Sequence, residues 1–450
     1  MVMTSSALQG VGKGVFVLVV ILQAWLVDGD LEKVPKEALP TRSLDVNTPT
    51  ASSMFFLYYE ALEPTDELSK TPVVLWLQGG PGCSGLIGNF GELGPWRVGE
   101  DMELHKNTAP WNRRFGLLFI DSPAGTGFSV APSLDAIVLN QYQVARDLYK
   151  TLDIFFRDPG YRSRPLYVTG ESYGGKYVPA LGYYIMVVTE QLRLKGEQPN
   201  FQLQGVAIGN SLTHPIVQVQ TVGSTAYNMG LVDRDQKQVL DDLAQKSVEL
   251  ILKKDWLGAV VVRETLLELL RDMSGLATLS DVRRSVGYFR TANKTDYLSP
   301  FVNLETVKEA LGANVNITWE QCNDPVNEKM QVDVMKSTKW MVEALLPQLP
   351  VLLYQGQFDI QDGVASNEAW MRTIVWGNSN AFWASKRSVW KENGKLAGYV
   401  RTHENLSHVV IAQAGHLVPT DQNFRAQRMI EAWIYGKLAT LSEDIHNGRD

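Results

Sequence analysis

The chain is 450 residues long, 45% hydrophobic and 20% charged, a balance that supports a large core and excludes a disordered or fibrous protein. With 42 basic against 49 acidic residues the net charge is −7, and no long Lys/Arg run offers a track for a phosphate backbone, so nucleic acid is not an expected partner. Two cysteines, Cys83 and Cys322, are too few for a disulfide-built scaffold or a four-cysteine metal site.

Lys13 precedes an apolar run over residues 15–27, closed by Asp28, Gly29 and Asp30. This pattern predicts a secretory signal peptide over residues 1–29. The run is shorter than the roughly 20 apolar residues of a spanning helix, and no later run is comparable, so no membrane association is expected once it is removed. Sequons at Asn293, Asn316 and Asn405 are candidate glycosylation sites consistent with that route. In an oxidising compartment the two cysteines can form one bridge across a long loop; two buried free thiols are the alternative.

The first buried element is VVLWL at 73–77, a continuous apolar run ending in Gly-Gly-Pro-Gly, as expected of a strand covered on both faces. GLLFID at 116–121 and PLYVT at 165–169 repeat the pattern, and between them residues 140–156 carry apolar positions at helical spacing. Residues 202–208 and 351–354 add two more strands, so the spacing predicts an α/β protein with a doubly wound, mostly parallel sheet. From 213 to 325 the pattern changes to charged amphipathic helices, over 233–254 and 256–273, without buried strands between them. This segment is read as an inserted helical cap between a first core part, 30–212, and a second, 326–450, which closes with a helix over 423–435.

Gly170-Glu171-Ser172-Tyr173-Gly174 is a G-x-S-x-G directly after a strand and before a helix, the context of a nucleophile elbow. A serine hydroxyl needs a base, and in this arrangement acid and base follow the nucleophile in the chain. Of six histidines, His416 follows the apolar run 409–411 and is the expected base. His105, His214, His403, His408 and His446 are read as structural. Asp359, at the end of the strand VLLYQG, is the chosen acid, with Asp362 as its competitor. The glycines at 79, 80 and 82 let backbone amides approach a reacting carbonyl, with the N–H groups of Gly80 and Tyr173 as the expected oxyanion donors.

With WLQGGPGCSG (76–85), ELGPW (92–96), DSPAGTGFS (121–129), GESYGGKYVP (170–179), VLLYQGQFD (351–359) and GHLVP (415–419) in place, the chain resembles the serine carboxypeptidase family from about residue 38 to 437. The phrase WLQGGPG is similar to that of the vitellogenic-like branch and of plant serine carboxypeptidase-like proteins. The resemblance implies an α/β-hydrolase fold and a triad of Ser172, Asp359 and His416. It implies oxyanion donors at Gly80 and Tyr173, a substrate-carboxylate site made by Gln78, Gly79, Glu92 and Glu171, and a Cys83–Cys322 bridge. The implied activity is release of C-terminal amino acids from peptides with a free C-terminus, through an acyl-enzyme and without metal or cofactor. Glu92 and Glu171 should share raised pKa values and favour acidic pH. The implied destination is the secretory route, secreted or vacuolar/lysosomal, and a homodimer is left open. A serine carboxypeptidase-like acyltransferase using a sugar-ester donor, or a non-catalytic binding protein on the same fold, are the alternatives. The chain departs from the family's usual residues at Gln78 (usually Asn), Gly85 (Ser), Gln357 (Asp), Leu417 (Met) and Asn423 (Pro).

Overall fold

The computed structural model describes residues 41–45 and 52–442; the expected signal peptide and His446 lie outside the described residues. Twelve strands are described: β1 (Thr41–Asp45), β2 (Ser53–Tyr59), β3 (Val73–Leu77), β4 (Trp96–Val98), β5 (Leu104–Lys106), β6 (Gly116–Ile120), β7 (Pro165–Glu171), β8 (Gln202–Gly209), β9 (Val351–Gly356), β10 (Ser388–Glu392), β11 (Lys395–His403) and β12 (Leu406–Ile411). Ten of them form one sheet in the order β1-β2-β6-β3-β7-β8-β9-β12-β11-β10, while β4 and β5 pair separately. The six central strands, β6 to β12 in that order, run parallel. Antiparallel strands flank them on both sides.

Alternation along the central strands divides the core. Val73, Leu75 and Leu77 of β3 join one apolar cluster, with Leu166, Val168, Val206 and Ile208, beneath the helices Gln141–Phe155 and Gly174–Leu194. Val74 and Trp76 point the other way, into a second cluster with Tyr354, Val409 and Ile411, closed by Met429, Ile430 and Trp433 of the helix Asn423–Ile434. Both faces are therefore dry, which is why these strands read as unbroken apolar runs.

Between β8 and β9 the chain is helical, and its largest helices carry their own start and stop signals. Asp233 forms a capping box with Gln236 at the head of Arg234–Leu252. Asp255 caps Trp256–Ser274, which ends on Gly275 at φ 69°. These two helices pack on a third apolar cluster with Val219, Val222 and Ile360. The expected boundary at 325/326 falls within the helix Asp324–Val334, and a further helix, Lys339–Leu345, precedes β9. Among the described residues no helix is long and apolar enough to cross a membrane.

Candidate active site

β7 runs into a sharp turn at which Ser172 takes φ 59°, a left-handed conformation that costs a side-chain-bearing residue roughly 1–2 kcal/mol. The turn is held by the Ser172 N–H on Gly209 O at 3.0 Å and by the Leu212 N–H on Ser172 O at 3.0 Å. Close approach demands glycine on both sides. A Cβ at Gly170 would lie 2.5 Å from Leu77 O, and one at Gly79 would lie 2.6 Å from Ser172 Cβ. The helix Gly174–Leu194 begins at once behind the partly exposed serine, so its N-terminal dipole faces the site.

His416 Nδ1 lies 2.7 Å from Asp359 Oδ2. The same oxygen accepts the Asn210 side-chain amide at 2.7 Å, and Asp359 Oδ1 accepts the N–H groups of Gln361 at 2.8 Å and Asp362 at 3.2 Å. Asn210 follows Gly209, the residue that holds the Ser172 turn, so one short stretch after β8 ties the serine to the acid. Between the two candidate acids, the structure sets Asp359 on the imidazole. Asp362 faces Arg263 at 3.5 Å, and its carboxyl is pushed up by burial. Burial works against a charge on His416, but the Asp359 carboxylate more than reverses this and pushes the imidazole up to about 8. The His416 loop is anchored by its own N–H on Ser280 O at 2.7 Å and by the Gly415 N–H on Asp421 Oδ2 at 2.7 Å.

Beside the serine, Glu92 and Glu171 are both buried completely. Gln78 Nε2 donates to Glu171 Oε1 at 2.9 Å and to Glu92 Oε1 at 3.2 Å, while the Gln78 carbonyl accepts the Trp76 indole N–H at 2.8 Å. The indole thus fixes which way the amide faces. Burial pushes Glu92 up to about 7, against the pull of Gln78, Glu171, Arg97 and His416. Burial and the neighbouring Glu92 and Asp359 charges push Glu171 well above the usual carboxyl range. Arg97 and His416 lie on the Glu92 side of the pair, and Asp359 adds a further anion on the Glu171 side.

The N–H groups of Gly80 and Tyr173 find no acceptor among the described residues, and a Cβ at Gly79 would lie 2.7 Å from Tyr173 N. Cys83 is bonded to Cys322. The Asn323 N–H on Gly82 O and the Ser84 N–H on Gln321 O, both 2.8 Å, add backbone bonds on either side of that bridge. The Tyr173 hydroxyl donates to Asp333 Oδ2 at 2.8 Å, which ties the elbow to the helix Asp324–Val334.

A family profile described as serine carboxypeptidase matches residues 41–436. The chain belongs to the serine carboxypeptidase family. It is 47% identical over 418 residues to "Serine carboxypeptidase-like 50" of Arabidopsis thaliana, covering 91% of each chain. It is 34% identical over 406 residues to "Probable serine carboxypeptidase CPVL" of Homo sapiens, covering 88% of this chain and 82% of that one. Among solved structures it superimposes on Kex1(delta)p, a prohormone-processing carboxypeptidase from Saccharomyces cerevisiae. The TM-score is 0.78, with 22% identity over 88% of this chain and 91% of that one. That likeness bears on the fold, which is α/β-hydrolase. As a serine carboxypeptidase the protein is a hydrolase of a family that acts on peptides.

The other described histidines of this serine carboxypeptidase sit apart from the elbow. His408 is buried against Gln355 Oε1 at 2.6 Å and held near 4 by that burial. His214 faces Ser337 Oγ at 2.7 Å and is likewise pushed down to about 4 by burial. His105 pairs with Asp101 at the surface, and His403 ends β11. No group of three or more metal-ligating side chains occurs among the described residues. Of the sequons, Asn293 and Asn316 are exposed, whereas the Asn405 amide nitrogen donates to Leu346 O at 2.8 Å. Sequence reasoning missed Asn210, Trp76 and Asp333; a strand ending in Gly-Asn was the one local hint to the first.

Proposed function

We propose that the chain releases amino acids from the C-terminus of peptides through an acyl-enzyme, with Ser172 as nucleophile, His416 as base and Asp359 as the acid that orients it. The observation that carries this reading is the 2.7 Å contact of His416 Nδ1 with Asp359 Oδ2, on the same sheet edge as a serine in a strained elbow. With Nδ1 engaged, Nε2 is the nitrogen left to take the Ser172 proton. The serine oxygen attacks the last peptide carbonyl, and the N–H groups of Gly80 and Tyr173 receive the oxyanion. The imidazolium gives its proton to the leaving amine as the C–N bond breaks. Water, deprotonated by His416, then cleaves the ester and restores Ser172.

Gln78, Gly79, Glu92 and Glu171 are assigned to the substrate's terminal carboxylate. Both Gln78 N–H bonds are directed at the two carboxyls, so the donor to an incoming carboxylate is the proton held by the pair. That proton is present at acidic pH and is lost as pH rises past the raised values of Glu92 and Glu171. His416, pushed up to about 8, works in the opposite direction, since it must be neutral to act as base. The acidic preference therefore belongs to recognition of a free C-terminus and is read as the ratio of turnover on a peptide acid to turnover on its amide.

An acyltransferase with a sugar-ester donor would keep the triad but has no terminal carboxylate to bind, so the buried Glu92–Glu171 pair favours the peptidase. Transfer from an acyl-glucose to an alcohol without peptide trimming would reverse that choice. Ser172→Ala tests the central claim: peptide trimming and labelling by a fluorophosphonate should both vanish, and undiminished turnover would end this reading. The cap over 213–325, entry to the secretory route through residues 1–29, and a secreted or vacuolar/lysosomal destination belong to the same proposal. Asn293 and Asn316 are its glycan acceptors, since a glycan on Asn405 would displace the bond to Leu346.

A further inference from the structure

Arg97 sits in β4, five residues after Glu92, and its guanidinium forms no ion pair among the described residues. It donates instead to three backbone carbonyls drawn from two distant segments. Nε reaches Glu92 O at 3.1 Å, Nη1 reaches Thr420 O at 3.3 Å, and Nη2 donates to both Glu92 O and Pro419 O. A half-buried cation normally takes a carboxylate partner. A planar fork of five N–H groups can reach three carbonyls from three separate nitrogens in a fixed geometry. The carbonyls are those of the carboxyl-bearing residue Glu92 and of the turn that follows His416.

Other side chains close the same junction. Thr420 Oγ1 donates to Gly91 O at 3.0 Å. Asn107 Nδ2 donates to Gly94 O at 2.9 Å, and its Oδ1 accepts from Asn423 Nδ2 at 3.2 Å. Asn423 also reaches Thr108 Oγ1 at 3.2 Å. A proline at 423, which has no side-chain amide, would make neither bond, so this chain carries links across the junction that a proline would not supply. The upstream half of the His416 turn is anchored elsewhere, on Ser280 O and Asp421. The downstream half, Pro419 and Thr420, is tied to the Glu92 segment by Arg97 on both carbonyls and by the Thr420 hydroxyl on Gly91 O.

We propose that Arg97 is a positioning residue that holds Glu92 and the His416 turn in register, so that recognition of a free C-terminus is coupled to the base through one guanidinium. This rests on the reading of Glu92 and Glu171 as the carboxylate site. The test measures kcat/KM for a blocked dipeptide with a free C-terminus and for the same peptide amidated, per active site titrated with a fluorophosphonate. Arg97→Ala should lower the acid-to-amide ratio at least tenfold. Arg97→Lys, which keeps the charge but offers its donors from a single atom, should also lower it, by at least threefold. An unchanged ratio in either variant overturns the inference: in Arg97→Ala because the role is then only structural, in Arg97→Lys because charge alone suffices. If Arg97→Ala gives no titratable protein, Arg97→Lys carries the test by itself. A wild-type ratio near one would instead sink the carboxylate reading, and this inference with it.

Discussion

Asp359 and the Glu92–Glu171 pair are buried carboxyls in one site, held in opposite ways. Asp359 is given four partners for two oxygens: the amide of Asn210, the imidazole of His416 and two backbone N–H groups. The pair shares a single amide nitrogen from Gln78. Glu92 Oε2 and Glu171 Oε2 are buried with no hydrogen-bond partner among the described residues. Burial alone therefore does not decide what a carboxyl does here; the number of donors built around it does. One arrangement fixes a direction for His416, and the other leaves two buried oxygens for which a shared proton is the proposed partner.

The comparison breaks most sharply at Asp359. Asp359→Asn keeps the volume but presents an amide to His416, so the imidazole is free to settle in the wrong tautomer. By analogy with serine-protease triads, kcat should fall about 10⁴-fold, measured by steady-state kinetics on protein whose melting temperature is checked in parallel. A loss of only about tenfold would mean that another group, such as Asp362, orients the base and that the four partners of Asp359 serve the fold alone.

The pair offers the next largest effect. Glu171→Gln keeps a donor but removes one of the two raised carboxyls. Because the amide still donates where the proton did, the acid-to-amide ratio at low pH should fall by no more than about tenfold, the low end of the worth of a hydrogen bond to a charged group. It should also lose much of its decline with rising pH, because the group that gives up its proton is gone. If the ratio declines as steeply as in the wild type, Glu171 is not the stored proton and the contrast with Asp359 is wrong.

How much of this was legible depends on the range over which each feature is made. β3, β6, β7, β8 and β9 showed as apolar runs because helices cover both faces of the sheet. β7 extends two residues beyond its expected end, since Gly170 and Glu171 still pair with Ile208 and Gly209. β10 and β11 escaped the reading: the edge strand SVWKE and its neighbour KLAGYVRTH carry charged side chains that break the pattern. In the site, Ser172, His416 and Asp359 could be singled out because each lies in a recognisable phrase shortly after a strand, β7, β12 and β9 respectively. Trp76 was visible as a letter but not as the residue that orients Gln78. Arg97 had no signal at all, because Pro419 and Thr420 lie 322 and 323 residues further along the chain.

Asn210 is the smallest and most discriminating place to press the contrast, because it supplies one of Asp359's four partners while also shaping the backbone. It sits at φ 40°, a region asparagine tolerates better than alanine does. It spans β8 and β9 through its N–H on Tyr354 O at 2.9 Å and the Gly356 N–H on its Oδ1 at 3.1 Å. Asn210→Ala removes the donor and strains the turn; Asn210→Gly removes the donor and relieves the strain. If the donor matters, both variants should lose about tenfold in kcat, near the lower bound for a hydrogen bond to a charged group, since Asp359 keeps three other partners. If only the alanine variant is slow, the backbone conformation is what counts, and Asp359 is held well enough by the remaining three. The glycine variant therefore decides whether the fourth donor on Asp359 has a catalytic effect, which is the point on which the contrast with the donor-poor pair depends.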